Sequence, residues 1–502
     1  AYEIVFGDWS SDGCSSDLLL VTASGYGDGK IHSEVAEASD FLTPHWNGTK
    51  VEHIPERIAA LKQFGKPIVC NEDDKVGDRA AAALQASVTN GCAYGLMLKD
   101  HNQTFPFRFD GAADDPVFYA QLRALTTPTR RTYAAGDYFP LPESQGGWRK
   151  LEKADEIRQL AGMDPSKLDE LRDWLLKSDN RNFAAVVIRH GYIVLEVERG
   201  NSAKTDARRV ASVSKAVCAT VLAIASEQSQ HGQTPRKMTF DDHAFDFIPW
   251  AQPLSDPRKA QITVKQLFNH TSGLCPEATG APNDGSWEYI LGHTGDARTA
   301  KLAFDPGTAC GYSTHGLTHA ALVCETVTGK TYDQFAIEAL FEPLGIEHWW
   351  FQFYDGRANI GRHPSHGLGM PARDLARIAY CMLREGRWEQ QQVIPKWFVQ
   401  ETAAPTHSVT TPEMRWRLNP QVFSHGWELP ARHRQESGRS GDGIPTDARS
   451  KPGSGGQLIA FVPSLDLVIT RQTGSSGDWA YEEYLRRACA AVLPLPDTPQ
   501  RP

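Results

Sequence analysis

The segment from Arg208 to Ala225 constrains the fold of this 502-residue chain more than any other. It is rich in alanine and almost wholly apolar, and it has the length of a helix. A helix that is apolar on every side must lie inside a core. The chain is long enough for two or three domains with sizeable cores. The segment therefore predicts a buried helix inside a large domain.

Two of the few polar residues in this segment, Ser212 and Lys215, lie three positions apart. On a helix such residues share one face, so the hydroxyl and the amine can touch. Lysine is rarely buried without a partner or a function. Desolvation favours its neutral amine, which could accept a proton from the Ser212 hydroxyl. A Ser-x-x-Lys pattern also occurs by chance, and the pair could equally be a capping serine beside a lysine that reaches solvent.

Five further elements follow the order of one known family. They are a hairpin pattern with its turn at His190-Gly191, the segment Ile262–Leu274 ending in His-Thr-Ser-Gly-Leu, Phe304–Thr314 with Pro-Gly and Tyr-Ser-Thr, Gly367–Arg377, and Lys451-Pro-Gly-Ser-Gly-Gly-Gln457 before a strand. With the Ser-x-x-Lys motif, residues 160–492 resemble the class C-like branch of the serine β-lactamase and penicillin-binding-protein superfamily. That branch includes esterases, D-aminopeptidases and an oligoamide hydrolase. The resemblance implies a three-layer domain, an antiparallel sheet flanked by helices.

The resemblance also implies roles for three residues. Ser212 would be the acylated nucleophile, and Lys215 its general base or proton shuttle. Tyr312 would exchange protons with the nucleophile and the leaving group, and nearby cations would make its phenol a better base. No cofactor is implied.

The family's Lys-Thr-Gly triad corresponds here to Lys451-Pro452-Gly453. Lys451 would supply the second cation and hold a substrate carboxylate or the tyrosinate. The N–H groups of Ser454 and Ser212 would form the oxyanion hole, although an alignment shifted onto Gly453-Ser-Gly455 is also open.

Two departures from the family pattern affect substrate binding. Thr314 stands where the family usually has Asn, so a substrate-binding amide is missing, and Pro452 removes a hydroxyl. Both changes weaken β-lactam or peptide recognition more than acyl transfer, so carboxylic esters or small amides are the expected substrates. β-Lactamase or D-Ala-D-Ala carboxypeptidase activity and a catalytically silent module that binds cell-wall or glycan ligands remain alternatives.

The histidines suggest two alternative hypotheses, which the sequence supports less well. A Ser-His-Asp mechanism is not supported because no Gly-x-Ser-x-Gly elbow is present; the histidines that invite it are His190, His270, His315, His319, His363 and His366. A metal bound by His315 and His319 lacks the glutamate of His-Glu-x-x-His.

The first 125 residues have a different pattern, with short apolar runs at a spacing near 25 residues and helix-like stretches between them. This predicts βα units and a parallel sheet, and it weakly resembles the second half of a glycoside-hydrolase-type (β/α)8 barrel. Glu72, at a strand end, is a candidate glycosidase carboxylate, but a second carboxylate across the scissile bond is missing. The apolar runs are Leu18–Thr22, Asp40–His45, Lys66–Asn71 and Cys92–Leu98.

The fold class is thus α/β plus α+β. The predicted divisions are a partial barrel-like segment at 1–125, a Pro/Gly-rich linker at 126–150, the hydrolase domain at 151–495 and a tail at 496–502. The formal net charge of −9 gives no general attraction to nucleic acid. No apolar run is long enough for a membrane span. No secretory signal is visible, so the compartment stays open between periplasmic or secreted, as the resemblance suggests, and cytoplasmic. The oligomeric state is also open.

Overall fold

The computed structural model describes residues 22–98, 101, 108, 110–126, 138–283, 285–351, 367–406, 422–431 and 443–493. The chain divides into two compact units, residues 1–132 and 133–502.

The first unit contains parallel strand pairs, as its sequence pattern predicts. Strands β1 and β2 pair in parallel with Ile68 opposite Cys92, and single parallel bridges join Ser24 to Thr43 and Leu42 to Ile68. The predicted run Leu18–Thr22 lies outside the described residues except for Thr22. The barrel-like assignment itself stays a prediction. The elements are α1 (Ser33–Ala38), α2 (Ile54–Leu61), β1 (Ile68–Cys70), α3 (Gly77–Thr89), β2 (Cys92–Tyr94) and α4 (Pro116–Thr126).

The second unit is built around an eight-stranded sheet. Its strands lie in the order β11-β12-β13-β14-β15-β4-β5-β3. All neighbours are antiparallel except the edge strand β3, which pairs in parallel with β5. The strands of this unit are β3 (Arg149–Lys150), β4 (Phe183–Arg189), β5 (Tyr192–Arg199), β6 (Arg208–Arg209), β7 (Trp350–Phe351), β8 (Leu368–Met370), β9 (Arg387–Trp388), β10 (Gln391–Gln392), β11 (Phe423–Ser424), β12 (Trp427–Glu428), β13 (Arg449–Gly453), β14 (Gln457–Val462) and β15 (Leu467–Gln472).

Helices cover both faces of this sheet, which confirms the predicted three layers. Successive strand residues point to opposite faces, and Val186 lies in one core cluster while Val187 lies in the other. One cluster includes α7, α11 and α13, and the other α5, α6 and α15. In the described parts of the chain, no helix is long and apolar enough to cross a membrane. The helices are α5 (Ala154–Leu160), α6 (Pro165–Ser178), α7 (Val213–Gln230), α8 (Val264–Phe268), α9 (Trp287–Leu291), α10 (Ala297–Ala300), α11 (Thr314–Thr328), α12 (Tyr332–Ala336), α13 (Ala372–Leu383), α14 (Lys396–Glu401) and α15 (Tyr481–Ala490).

The segment 138–150, which the sequence assigns to a linker, packs within the second unit. Phe139 and Trp148 are buried in its larger core cluster. The carboxylate of Glu143 is buried and accepts a hydrogen bond from Arg373 at 2.9 Å. Proline and glycine here shape turns in an ordered segment. The other half of the predicted linker lies mostly outside the described residues.

Two predicted local elements lead to the site. Residues 213–225 of the predicted helical segment lie in α7, which is buried nearly all round, whereas Arg208 and Arg209 form the short strand β6 and not the start of the helix. The hairpin of β4 and β5 turns at His190 and Gly191 with φ of 52° and 75°. Positive φ at both positions is the geometry of a two-residue hairpin turn.

The buried side chain of Lys259 joins segments of the chain that precede Tyr312. The Lys259 ammonium donates to Ser255 Oγ at 2.7 Å and to the carbonyls of Leu291 and Thr299 at 2.9 and 3.1 Å. Burial lowers the pKa of Lys259 to about 8. We expect Lys259→Met to leave the Thr299 carbonyl unpaired and the Leu291 carbonyl with only the long bond from Ser255 Oγ, at 3.4 Å, and to lower the free energy of unfolding by about 2–4 kcal/mol at pH 10.

The loss of stability caused by Lys259→Met should grow as the pH rises. Because the pKa of Lys259 is depressed by folding, the unfolded chain binds more protons than the folded chain between about pH 8 and 10.4. The contribution of Lys259 to stability therefore grows as pH rises through that window, by up to about 3 kcal/mol. Chemical denaturation of both proteins at pH 7 and pH 10 measures this, and a gap between them that does not widen with pH would contradict the assignment.

Candidate active site

The hydroxyl of Ser212 lies at the N-terminus of α7. Ser212 occupies the position before the first helical residue and is half-buried. Lys215 lies one turn further and is fully buried. Its Nζ donates a hydrogen bond to Ser212 Oγ at 2.9 Å. The two residues that the sequence singles out are therefore in direct contact, and the hydroxyl retains access to solvent.

The backbone before Ser212 is held in an unusual conformation. Ala211 has φ of +48°, a left-handed geometry that costs a residue with a Cβ on the order of 1 kcal/mol. A Cβ on Gly453 would lie 2.6 Å from the carbonyl oxygen of Val210. Only glycine therefore lets the end of β13 pass so close to the segment that carries Ser212.

Tyr312 lies between the two lysines. Its ring centroid is 4.9 Å from Lys215 Nζ and 4.8 Å from Lys451 Nζ. Its hydroxyl shares a hydrogen bond with Lys451. The ring packs against His270 at 4.5 Å and Phe423 at 5.6 Å between centroids. Aromatic contacts thus fix the ring of Tyr312, and its hydroxyl is bonded to Lys451.

Lys451 is paired with a carboxylate that sequence reasoning missed. Its Nζ donates to Glu428 Oε1 at 2.5 Å, and both side chains are buried. Burial lowers the pKa of Lys451, but Glu428 and Tyr312 outweigh it and raise the pKa above its ordinary value. Lys451 is therefore an ammonium whose charge is balanced within the protein.

The hairpin of β11 and β12 carries Glu428 into the site. Its turn has His425 at φ of 49° and Gly426 at φ of 78°. A Cβ on Gly426 would lie 3.0 Å from the carbonyl oxygen of Lys215 and 2.8 Å from the Cβ of Ala219. Glycine at this turn lets the hairpin pack directly on α7.

A second carboxylate, Glu277, lies beside Lys215. Its Oε1 is 3.9 Å from Lys215 Nζ and accepts a hydrogen bond from the hydroxyl of Thr314. The N–H of Glu277 donates to the carbonyl of Tyr312 at 2.7 Å, which joins the two segments. Thr314, predicted to contact substrate, is fully buried, with its hydroxyl directed at Glu277.

Ser454 lies in the exposed turn between β13 and β14. Its Oγ accepts a hydrogen bond from the N–H of Gly477 at 3.1 Å. The turn closes with the N–H of Gly456 donating to the carbonyl of Gly453 at 3.0 Å. Ser454 therefore directly follows Gly453, the last residue of β13, which passes close to the Val210 carbonyl of the Ser212 segment.

Each described histidine that invited another mechanism has a structural contact. His270, at φ of 61°, accepts the N–H of Ser313 on Nδ1 at 3.1 Å. His315 and His319 bond the backbone carbonyls of Pro282 and His315, and His190 pairs with Asp466. The described residues contain no group of three potential metal ligands. His363 and His366 lie outside the described residues.

In the first unit, Glu72 is joined to His45, with 3.3 Å between Oε2 and Nδ1. The neighbouring Asp73 is buried and accepts hydrogen bonds from Lys75 at 2.9 Å and Tyr94 at 2.8 Å. Asp73 is 0% exposed, so its carboxylate is not accessible as the second carboxylate of a glycosidase in this structure.

Comparisons with known proteins concern mainly the second unit. The family model described as Beta-lactamase matches residues 177–491. Among curated proteins, a lovastatin esterase of Penicillium rubens is 34% identical over 110 residues, which is 20% of this chain and 27% of that protein. The chain therefore matches only about a quarter of that relative's length.

Solved structures share the fold at low sequence identity. The "putative beta-lactamase" of Bacteroides dorei aligns with a TM-score of 0.51 at 19% identity, over 66% of this chain and 99% of its own. The "putative 6-aminohexanoate-dimer hydrolase" of Bacillus anthracis aligns with a TM-score of 0.50 at 19% identity, over 76% and 94% of the two chains.

Proposed function

The chain belongs to the beta-lactamase family of serine hydrolases, and we propose that it hydrolyses carboxylic esters or small amides through an acyl-Ser212 intermediate. The observation that carries the proposal is the hydrogen bond between the buried Lys215 Nζ and Ser212 Oγ at 2.9 Å. Tyr312, between two lysines, supplies a second group that can move a proton. The match to a lovastatin esterase supports an ester as substrate.

In the acylation step, the proton of Ser212 Oγ passes to the Lys215–Tyr312 pair. The Oγ attacks the substrate carbonyl carbon, and a tetrahedral oxyanion forms. The N–H groups of Ser212 and Ser454 would stabilise this oxyanion, and Gly453 supports that role because it brings β13 beside the Ser212 segment. The same pair returns the proton to the leaving alcohol or amine as the bond to the carbonyl carbon breaks.

In the deacylation step, water replaces the alcohol. The Lys215–Tyr312 pair takes a proton from water, whose oxygen attacks the acyl carbon. Cleavage of the acyl–Oγ bond releases the acid, and the proton returns to Ser212. The step needs no oxidant, reductant or cofactor, since all transfers are of protons and the acyl group.

Esters are favoured over β-lactams as substrates because Thr314 and Lys451 are each already bonded to a carboxylate of the chain. Recognition of a substrate acylamide needs a hydrogen-bond donor beside the nucleophile, but the hydroxyl proton of Thr314 is given to Glu277. Holding a substrate carboxylate needs an unbalanced cation, but Lys451 is paired with Glu428. Neither loss prevents attack on an ester carbonyl.

Active-site labelling tests this function. We expect a fluorophosphonate to add one phosphonyl group per chain and peptide mapping to place it on Ser212, because only an activated hydroxyl reacts rapidly. Prior incubation with a slowly hydrolysed ester should protect the site. The Ser214→Ala variant is the matched control, since Ser214 lies in the same helix but is buried, and it should label normally.

The alternatives give different results in the same experiment. A folded protein that takes up no label, or takes it up elsewhere, would contradict the proposal and favour a catalytically silent binding module. A stable adduct with a penicillin on Ser212 would move the assignment towards β-lactamase or D-Ala-D-Ala carboxypeptidase chemistry.

A further inference from the structure

The two lysines that flank Tyr312 each face a carboxylate of the same chain, but the two carboxylates differ in availability. Glu428 is in direct contact with Lys451 at 2.5 Å and is 4% exposed. Glu277 is 3.9 Å from Lys215 Nζ, beyond hydrogen-bond distance. Glu428 is therefore directly bonded to its lysine, while the ion pair of Glu277 with Lys215 is longer and leaves the Glu277 carboxylate less closely held.

Glu277 is also placed where a bound acyl group would be affected by that charge. Lys215 Nζ, its neighbour, is hydrogen-bonded to the nucleophile Ser212 Oγ at 2.9 Å. Glu277 begins a short 3-10 helix, Glu277–Thr279, whose following residues are exposed, and its own side chain is 9% exposed. It thus lies one side chain away from the reacting centre, at an edge that reaches solvent.

At this edge, the described contacts of Glu277 and Thr314 leave neither side chain with a proton to donate to a substrate. Thr314 uses its single hydroxyl proton on Glu277 Oε1 and is fully buried. A carboxylate has no proton to donate. A substrate group near this edge is therefore stabilised when it is an ammonium or another hydrogen-bond donor, and destabilised when it is a carboxylate.

We infer that Glu277 is a specificity-determining residue that favours acyl donors with a cationic or donor group near the scissile carbonyl and rejects anionic ones. The inference rests on the proposed function, because it assumes an acyl donor bound at Ser212. A carboxylate about 6–7 Å from a charged group of the substrate, at a partly buried site, changes the rate for a cationic substrate relative to an anionic one by about tenfold or more.

The test compares aryl esters of three acids of matched shape. These acids are trimethylammoniobutyric acid, its neutral tert-butyl analogue and glutaric acid. We expect kcat/KM of wild type to be at least about tenfold higher for the cationic ester than for the anionic one, after correction for their spontaneous hydrolysis. Glu277→Gln should reduce that ratio by about tenfold while keeping a side chain of the same size.

A surface variant separates this local effect from net charge. Glu170 is exposed on α6, which packs on the opposite face of the sheet from α7. Glu170→Gln removes the same charge and should leave the ratio of cationic to anionic ester unchanged. An equal shift of the ratio in both variants would overturn the inference.

The remaining outcomes separate the inference from the proposed function. If kcat/KM of wild type for the cationic ester is no higher than that for the anionic ester, the inference is overturned. This comparison uses wild type alone, so it stands even where Glu277→Gln fails to fold. A wild-type preference that persists in folded Glu277→Gln overturns the role of Glu277. Failure of all three esters together with failure of fluorophosphonate labelling overturns the proposed function, and the inference with it.

Discussion

Ser212→Ala is expected to lower kcat/KM for an activated aryl ester by about 10⁴-fold or more, with the protein still folded. The hydroxyl forms the bond to the acyl carbon, so its removal leaves no group at this position to be acylated. Lys215, bonded to Ser212 Oγ at 2.9 Å, would have only water to activate. The residual rate would come from substrate binding and the oxyanion N–H groups.

The stability of Ser212→Ala should change little. Ser212 is half-buried, and its Oγ accepts the hydrogen bond of Lys215. Loss of one such bond changes the free energy of unfolding by about 1 kcal/mol. Steady-state rates and chemical denaturation measured on the same preparation decide the matter, with Ser214→Ala as the control. A folded Ser212→Ala protein that retains most of its esterase activity would rule out Ser212 as nucleophile.

The sequence predicts the contacts between residues that are close along the chain, and the family resemblance supplies the more distant residues. Ser212 and Lys215 are three residues apart on one helix, so periodicity alone predicts their contact. The hairpin turn at His190-Gly191 is also local. Tyr312 and Lys451 came from the order of family motifs.

The carboxylates that sequence reasoning missed depend on pairings between distant segments. Glu428 reaches Lys451 because β12 pairs with β13, with Glu428 opposite Ser450. Glu277 reaches Lys215 because its N–H binds the carbonyl of Tyr312. Neither register can be read from one sequence, since Glu277 directly after Pro276, and Glu428 two residues from both Gly426 and Pro430, look like residues of surface turns.

Composition misleads in a similar way at residues 138–150. Proline and glycine favour the prediction of a linker there. The buried Phe139 and Trp148 and the pairing of Arg149 with Tyr192 make the segment part of the second unit. The aromatic residues Tyr138, Phe139 and Trp148 among the turn residues were the available signal, because a solvent-exposed linker has little use for aromatic side chains.

Tyr312→Phe is expected to lower kcat by about 10²- to 10⁴-fold, the usual range for loss of a positioned acid–base group. The variant removes one oxygen and keeps the contacts of the ring with His270 and Phe423. Lys451 loses its bond to the phenol but keeps Glu428. The free energy of unfolding should therefore fall by only about 1 kcal/mol.

The matched control is Tyr484→Phe, which removes a buried hydroxyl from the other core cluster. That hydroxyl donates to the carbonyls of Val186 and Thr470 at 3.3 and 3.2 Å, so stability should fall while kcat is unchanged. The rate of fluorophosphonate labelling of Tyr312→Phe should fall along with kcat, because acylation itself needs the proton transfer. If Tyr312→Phe labels and turns over as fast as Tyr484→Phe, Lys215 alone moves the proton and Tyr312 serves only to pack the site.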